Sequence, residues 1–413
     1  MAEVTFTTGG ALRKSALRQA NERLVLNVIR QSPEVSRADI VRITGLSPSS
    51  VTFIVKRLER EKMVCEVKRD HRPLVGRQPT ALQLRPHARI AVGVEITLSG
   101  ARLILADMSD TILSRKTVPW HDNHELFFEK VHRAIRALLE PMSPGQALGV
   151  GVALPGFIEQ DGGRVIAAEN FNWFGVEAGA LIRRDISVPF YFGNTAKLSA
   201  LSEMWYSERG PNALRDFVSV SARGGLGTGV MIDGRILQGA TAAAAEFGHI
   251  SLYLDGRRCT CGNVGCWEQY ASDLALCRTY VEQAGLSGPE AAITPELIIE
   301  KARSRDAVAL RVLREIARHV GLGFVNLTVA LNPQAIIVGD YLAQSWDLIE
   351  ETVWAVLSSR APAYFLSEMR IFPSKHGADA TLMGTVAVVM SRFFGSFQHE
   401  NETKPGNSVL MRG

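Results

Sequence analysis

Glu246-Phe247-Gly248-His249, followed by Cys259-Thr260-Cys261-Gly262-Asn263-Val264-Gly265-Cys266-Trp267-Glu268, sets one imidazole and three thiols within eighteen residues. That donor set closes a tetrahedral Zn²⁺ shell with no open position, and a closed shell is structural rather than catalytic. Four such ligands with glycines between them predict one structural zinc per chain, held by His249, Cys259, Cys261 and Cys266. Glu246 and Glu268 flank the ligands without being needed by the ion. The metal is therefore expected to fix the loop that carries these two carboxylates. Cys65 and Cys277 stand alone and read as packing residues. With three of five cysteines in a metal cluster, a reducing compartment is expected rather than a disulfide framework.

Outward from this cluster, 413 residues exceed one ordinary core, and two or three domains are expected. The composition, 46% apolar and 21% charged, is that of a globular protein. It contains no apolar run near the roughly 18 residues that a membrane span needs. The first residues, MAEVTFTTGGALRKSALRQA, lack the apolar stretch of a secretory signal. A cytoplasmic protein without membrane contact is expected.

The net charge of +4 conceals an asymmetry. Residues 1–90 hold 17 Lys and Arg against 8 Asp and Glu; from chain totals of 46 and 42, the remainder holds 29 against 34. A head of +9 on a body of −5 suggests nucleic-acid contact through the head. Leu17, Ala20, Leu24 and Val28 fall on one stripe of a helix over 17–31. Ser36-Arg37-Ala38-Asp39 reads as a capped start of a second helix, with Ile40 and Ile43 facing inward and Gly45 at its end. Ser47-Pro48 starts a third helix, whose Val51, Ile54, Val55 and Leu58 face inward. Helix, three-residue turn, helix is the helix-turn-helix arrangement. Residues 63–69 and 80–84 alternate like two strands of a wing. Ser49, Ser50 and Thr52 near the start of the third helix are candidate readers of a major groove, Lys56 and Arg57 candidate phosphate contacts, and Arg77 and Gln78 candidate wing contacts in a minor groove. Double-stranded operator DNA is the expected partner.

From Arg89 the pattern turns to strands: RIAVGVEI, ARLILAD and TILSRKTVP, then a helix over 123–140 and the strand ALGVGVALP. A second pass begins near residue 217 with FVSVSA and GTGVMID. A helix through 308–330, the strand AIIVG and the strand MRIFP follow it. Two rounds of strands then helices predict a two-lobed α/β body with a cleft.

These motifs together resemble the ROK family (repressors, open reading frames and sugar kinases), in its winged-helix repressor branch. The resemblance covers residues 18–395 and rests on VSRADIVRITGLSPSSVT (35–52), GRQP (76–79), ALPGFIE (153–159), the Glu246-to-Glu268 cluster, LNPQAIIVGD (331–340) and GADATLMGT (377–385). It implies an N-terminal winged helix over 18–85 after a tail of 1–17. It also implies a two-lobed, actin-like (ribonuclease-H-like) body over 90–395 and a polar tail over 396–413. A sugar or sugar-phosphate effector is implied in the cleft, at Gly163, Arg164, Asn194, Glu246, His249 and Glu268. Carboxylates suit that role because one can accept from two neighbouring hydroxyls. A homo-oligomer, a dimer or a dimer of dimers, is implied as well, since two-fold pairs of heads read two half-sites.

The resemblance also exposes departures from the kinase pattern. Family kinases carry a carboxylate general base just after the asparagine; here Phe192-Gly193-Asn194 is followed by Thr195, a hydroxyl that is no base at neutral pH. Glu95-Ile96-Thr97-Leu98-Ser99 stands where an Asp-x-Gly-Gly-Thr phosphate turn is implied. Arg223-Gly224 replaces a Gly-Thr pair, and Gly339-Asp340 a Gly-Gly pair. A sugar-responsive regulator without catalysis is therefore expected; a sugar kinase with a fused DNA-binding domain is the alternative.

Overall fold

The computed structural model describes residues 14–32, 34–67, 80–207, 213–286 and 293–395. They divide into two compact units, one formed by the chain up to Ala88 with the segment from Met390, the other by Arg89–Val389.

The first unit runs α1 (Lys14–Gln31), β1 (Val35–Ser36), α2 (Arg37–Thr44), α3 (Pro48–Arg60), β2 (Val64–Val67) and β3 (Ala81–Leu84). Local chemistry sets its helix boundaries. Ser36 Oγ accepts from Asp39 N while the Asp39 carboxylate accepts from Ser36 N at 3.1 Å, a closed capping box. Gly45 ends α2 in the left-handed region, at φ 68°. Ser47 Oγ accepts from Ser50 N at 3.2 Å and Pro48 opens α3. Val51, Ile54, Val55 and Leu58 are buried as predicted. The strands pair in the order β1-β3-β2; β1, at two residues, is too short to show alternation in sequence. Four inward expectations are corrected. Ile43 on α2 is 55% exposed. Leu17, Ala20 and Leu24 are exposed as well, because the buried residues of α1, Val25, Leu26, Val28 and Ile29, lie in its C-terminal half. Arg77 and Gln78 lie outside the described residues.

The second unit opens with β4 (Ile90–Thr97), β5 (Gly100–Asp107), β6 (Ile112–Pro119), α4 (His124–Leu139) and β7 (Ala147–Leu154). A small sheet of β8 (Phe157–Glu159), β9 (Arg164–Ala168) and β10 (Trp173–Val176) follows, then α5 (Ala178–Arg183), β11 (Phe190–Asn194) and α6 (Thr195–Tyr206). The second half begins with β12 (Phe217–Ser221), β13 (Gly227–Ile232) and β14 (Arg235–Ile236). The thiol-rich loop leads into α7 (Glu268–Ala271), α8 (Asp273–Ala284), α9 (Pro295–Arg303) and α10 (Ala307–Leu331). β15 (Ala335–Val338), α11 (Asp340–Gln344), α12 (Trp346–Arg360), α13 (Ala363–Leu366), β16 (Arg370–Pro373) and α14 (Ala380–Phe394) complete it. The last turn of α14 groups with the first unit, where Phe394 is buried, accepts from Asn27 Nδ2 and lies under the Arg30 guanidinium.

The two large sheets have the orders β11-β7-β4-β5-β6 and β14-β13-β12-β15-β16. Each is an antiparallel meander of three strands extended, beside its first strand, by two parallel ones. The same order twice is the duplicated actin-like fold. Central strands read as apolar runs because both faces are covered. Val92, Val94, Val150 and Val152 pack on Phe127, Phe128 and Ile135 of α4 in one lobe. Val218, Val220, Ile336 and Val338 share a core with Val320, Phe324 and Leu327 of α10 in the other. The helix after each sheet lies against the other sheet. Thr385 of α14 rides over Gly151, and Ala196 of α6 over Gly229, approaches that a Cβ at either glycine would block. Among the described residues no helix is long and apolar enough to cross a membrane.

Candidate binding cleft and metal centre

A cavity of about 480 Å³ opens where the β4–β5 turn (Thr97–Gly100) faces the β12–β13 turn (Arg223–Leu226). This volume is within the usual range for a small-molecule site. Asn194, Glu246, His249 and Glu268 all line it, brought from the end of β11, the thiol-rich loop and the start of α7. Gly163 and Arg164 do not. Gly163 is a left-handed turn residue, φ 71°, packed on the Phe192 ring, and the Arg164 guanidinium is engaged with Glu177 Oε1 at 3.0 Å.

Asn194 has a structural task at this wall. Its Oδ1 accepts from Ala196 N and Lys197 N, capping α6, while Nδ2 donates to Gly156 O at 2.9 Å. Thr195 follows as the first helical residue and also lines the cavity. Glu246 is reachable by water through the cavity but ringed by protein atoms. That desolvation raises its pKa, against the opposing charges of Lys197 and His249. Lys197, only 2% exposed, donates Nζ to Ala242 O. The sequence reading missed it, although a lone lysine in TAKLSALSEMWY was a visible clue. Glu268 is buried; its Oε2 accepts from Leu226 N at 3.0 Å, and its Oε1 lies 3.8 Å from Cys259 Sγ.

Behind the carboxylates, His249 Nδ1 and Cys259 Sγ are 3.7 Å apart, Cys261 Sγ and Cys266 Sγ 3.8 Å, and all four ligand atoms lie within 4.8 Å of one another. A tetrahedral ion with sulfur bonds of about 2.3 Å holds its sulfurs about 3.8 Å apart, so this group could hold one metal ion. Burial and the neighbouring thiols push the Cys266 thiol up to about 12. Thiols so placed ionise readily only beside a cation. The loop is anchored by backbone bonds Leu252 N to Gly265 O and Trp267 N to Ile250 O, and by the fully buried Trp267, whose indole donates to His319 O at 2.9 Å.

Residues 91–392 match the ROK family, and residues 19–73 match the MarR family. The chain belongs to the ROK family. The xylose repressor of Caldicellulosiruptor bescii is 28% identical over 389 residues, covering 91% of this chain and 96% of its own. A glucokinase of Streptomyces coelicolor is 31% identical over 278 residues, 64% of this chain and 86% of that protein. The crystal structure of a ROK family transcriptional regulator, a homolog of the Escherichia coli MLC protein, shares the fold at a TM-score of 0.76 and 22% identity. It covers 92% of this chain and 97% of that one. A MarR-type winged helix followed by an actin-like ROK body is thus the architecture of this chain.

At the far end of the ROK cleft three of the departures from the kinase pattern, Glu95, Arg223 and Asp340, join one ionic network. Arg223 reaches Asp340 Oδ1 at 2.6 Å and Glu95 Oε1 at 3.7 Å, and donates to Ala378 O at 2.9 Å. Arg102 pairs with Glu95 Oε2 at 3.0 Å and with Asp379, and donates to Ala378 O. Desolvation raises the pKa of Glu95, which is 2% exposed, and the two guanidiniums lower it. Asp340 keeps a left-handed backbone, φ 51°, that favours the glycine implied there by the family pattern.

On the winged helix, Ser49, Thr52 and Lys56 are exposed along α3. Ser50 is part of the cap, its Oγ accepting from Ser47 Oγ at 2.8 Å. Arg57 is engaged within the protein, with Glu22 at 3.0 Å and Glu61 at 2.9 Å. Phe53, half exposed under the Arg18 guanidinium, was not singled out in the sequence.

Proposed function

We propose that this chain is a sugar-responsive transcriptional repressor that binds operator DNA through its winged helix, holds a sugar in the ROK cleft and catalyses nothing. The observation that carries the reading is the joining of a winged helix to a ROK body whose cleft keeps hydroxyl-accepting carboxylates, Glu246 and Glu268, but has Thr195 at the general-base position. A phosphoryl transfer to a sugar hydroxyl needs a base for the departing proton, and a hydroxyl cannot take it at neutral pH. The glucokinase relative is the reason to state the alternative. Radiolabelled phosphate transfer from ATP to a panel of hexoses and pentoses above background would overturn the non-catalytic reading.

Three thiols and an imidazole at tetrahedral spacing suit zinc above other common ions. The zinc would hold the loop that presents Glu246 and Glu268, and His249, bound through Nδ1, would have Nε2 left for a ligand hydroxyl. Ser49, Thr52 and Lys56 are the proposed DNA-facing residues of α3, with Arg77 and Gln78 in the wing. A cytoplasmic homodimer reading two half-sites is the simplest assembly. Sugar and operator binding are coupled, and about 1–3 kcal/mol of coupling gives roughly a 5- to 150-fold loss of operator affinity. Fluorescence anisotropy on genomic fragments selected by the full-length protein, with and without a sugar panel, tests this. Binding that no sugar alters would refute the switch.

A further inference from the structure

The end of the cleft where a kinase would hold phosphate is filled by the chain's own anions. Phosphate-binding loops work through backbone N–H groups turned towards the ligand. Along the β12–β13 turn, alternate N–H groups already donate to carboxylates. Ala222 N donates to Asp340 Oδ2 at 3.1 Å, Gly224 N to Asp273 Oδ2 at 2.8 Å, and Leu226 N to Glu268 Oε2 at 3.0 Å. Asp340 is further held by Ser221 Oγ at 2.7 Å. The two arginines that line the cavity, Arg102 and Arg223, are committed to Glu95, Asp340, Asp379 and Ala378 O. The remaining charged side chains on the wall are mostly acidic, Glu169, Glu246 and Glu296 among them.

We propose that the effector of this cleft is an unphosphorylated sugar, and that Asp273 and Asp340 exclude phosphorylated sugars by occupying the anion-binding donors of the β12–β13 turn. This rests on the reading of the cleft as a sugar site and names the chemical class it takes. A phosphate dianion entering here would have to displace a carboxylate from its N–H or break an arginine pair. The displaced carboxylate would then be a buried, unpaired charge. A sugar hydroxyl meets no such conflict, because it can donate to the carboxylate lone pairs left open at Glu246 and Glu268. Burial pushes the Asp273 carboxyl up to about 6, with Asp340 adding to the shift, so a further anion placed beside it would meet like charge in a desolvated setting.

The test is calorimetry on the full chain with matched probes: glucose against glucose 6-phosphate and glucose 1-phosphate, N-acetylglucosamine against its 6-phosphate, and xylose against xylose 1-phosphate. Inorganic phosphate and magnesium ATP serve as anion controls. At least one neutral sugar is expected to bind, its phosphorylated partner at least about 100-fold more weakly, and the anion controls not at all. A phosphorylated sugar that binds as tightly as its neutral partner overturns the exclusion while leaving the sugar reading intact. If no member of any pair binds, the sugar reading itself falls, and the proposal with it. Asp340→Asn keeps an acceptor for Ala222 N but frees a charge on Arg223; Asp273→Asn is the second variant should the first not fold. Either is expected to narrow the neutral-to-phosphorylated preference by about 10-fold or more, with neutral-sugar affinity nearly unchanged. An unaltered preference in both folded variants would overturn the assignment to these two carboxylates.

Discussion

The two ends of the cleft are built from the same kinds of residue and are left in opposite states. At one end Glu246 and Glu268 line the cavity beside the Cys and His cluster, with one Glu268 oxygen accepting from Leu226 N. At the other, Glu95, Asp340 and Asp379 are matched by Arg102 and Arg223. The presence of carboxylates at a cleft wall therefore says little by itself about binding. What separates a receptor from a filled site is whether the polar groups have spent their hydrogen-bonding capacity on one another.

Breaking the end that carries the proposed metal site should have the largest effect. Cys266→Ala removes one of four ligands from a type of site whose binding energy is about 10–16 kcal/mol in small zinc domains. The variant is expected to purify with well under one zinc per chain by elemental analysis, and to bind its sugar about 10- to 100-fold more weakly although Cys266 is fully buried. Full metal content in Cys266→Ala would show that the thiol is not a ligand.

Breaking the filled end comes next. Arg223→Ala leaves Glu95 and Asp340 short of a partner in a buried setting and is expected to cost about 3–5 kcal/mol in urea unfolding. A loss under about 1 kcal/mol would mean that water solvates the network and that its pairing is incidental. Asp273→Asn sharpens the contrast through pH. The folded pKa of Asp273 is raised from 3.8 to about 6, chiefly by desolvation. Its protonated form is therefore favoured by folding, a contribution fully present below the unfolded pKa and lost as pH rises through about 6. Relative to Asp273→Asn, the wild type should gain about 2 kcal/mol between pH 7 and pH 4.5. Parallel pH–stability curves for the two proteins would contradict this.

The smallest effect tests the head against the cleft. Lys56→Ala should lower the salt slope of DNA binding by about one unit, without altering sequence preference or the sugar response. Arg57→Ala should change the slope less and stability more, since Arg57 is paired with Glu22 and Glu61. If the two variants shift the slope equally, both arginine and lysine reach phosphate.

What was legible in the sequence is what forms between near neighbours along the chain. The Ser36–Asp39 box, Gly45 and Ser47-Pro48 each act over one helical turn. Spacing alone therefore announced helix, turn and helix. The four candidate metal ligands were legible for the same reason, since one short loop carries them all. Strand runs such as AIIV showed because a strand covered on both faces needs apolar residues throughout. Burial was less legible. Ile43, Leu17 and Leu24 have the right period, but period gives a face and cannot say whether anything covers it.

Tertiary structure alone decided the rest. No local rule brings Arg223 to Glu95 and Asp340, residues far apart in the chain that meet only because the two sheets repeat one topology and face each other across their hairpin turns. Nor could sequence tell that Asn194 spends its oxygen on capping α6 and an N–H on Gly156, or that Arg164 turns away from the cavity to Glu177. Short-range hydrogen bonds are encoded where they are made, and so can be read in order. Long-range charge pairing depends on which surfaces the fold has already brought together, so the sequence supplied the charged groups and the tertiary structure determined which of them were paired and which remained available to a ligand.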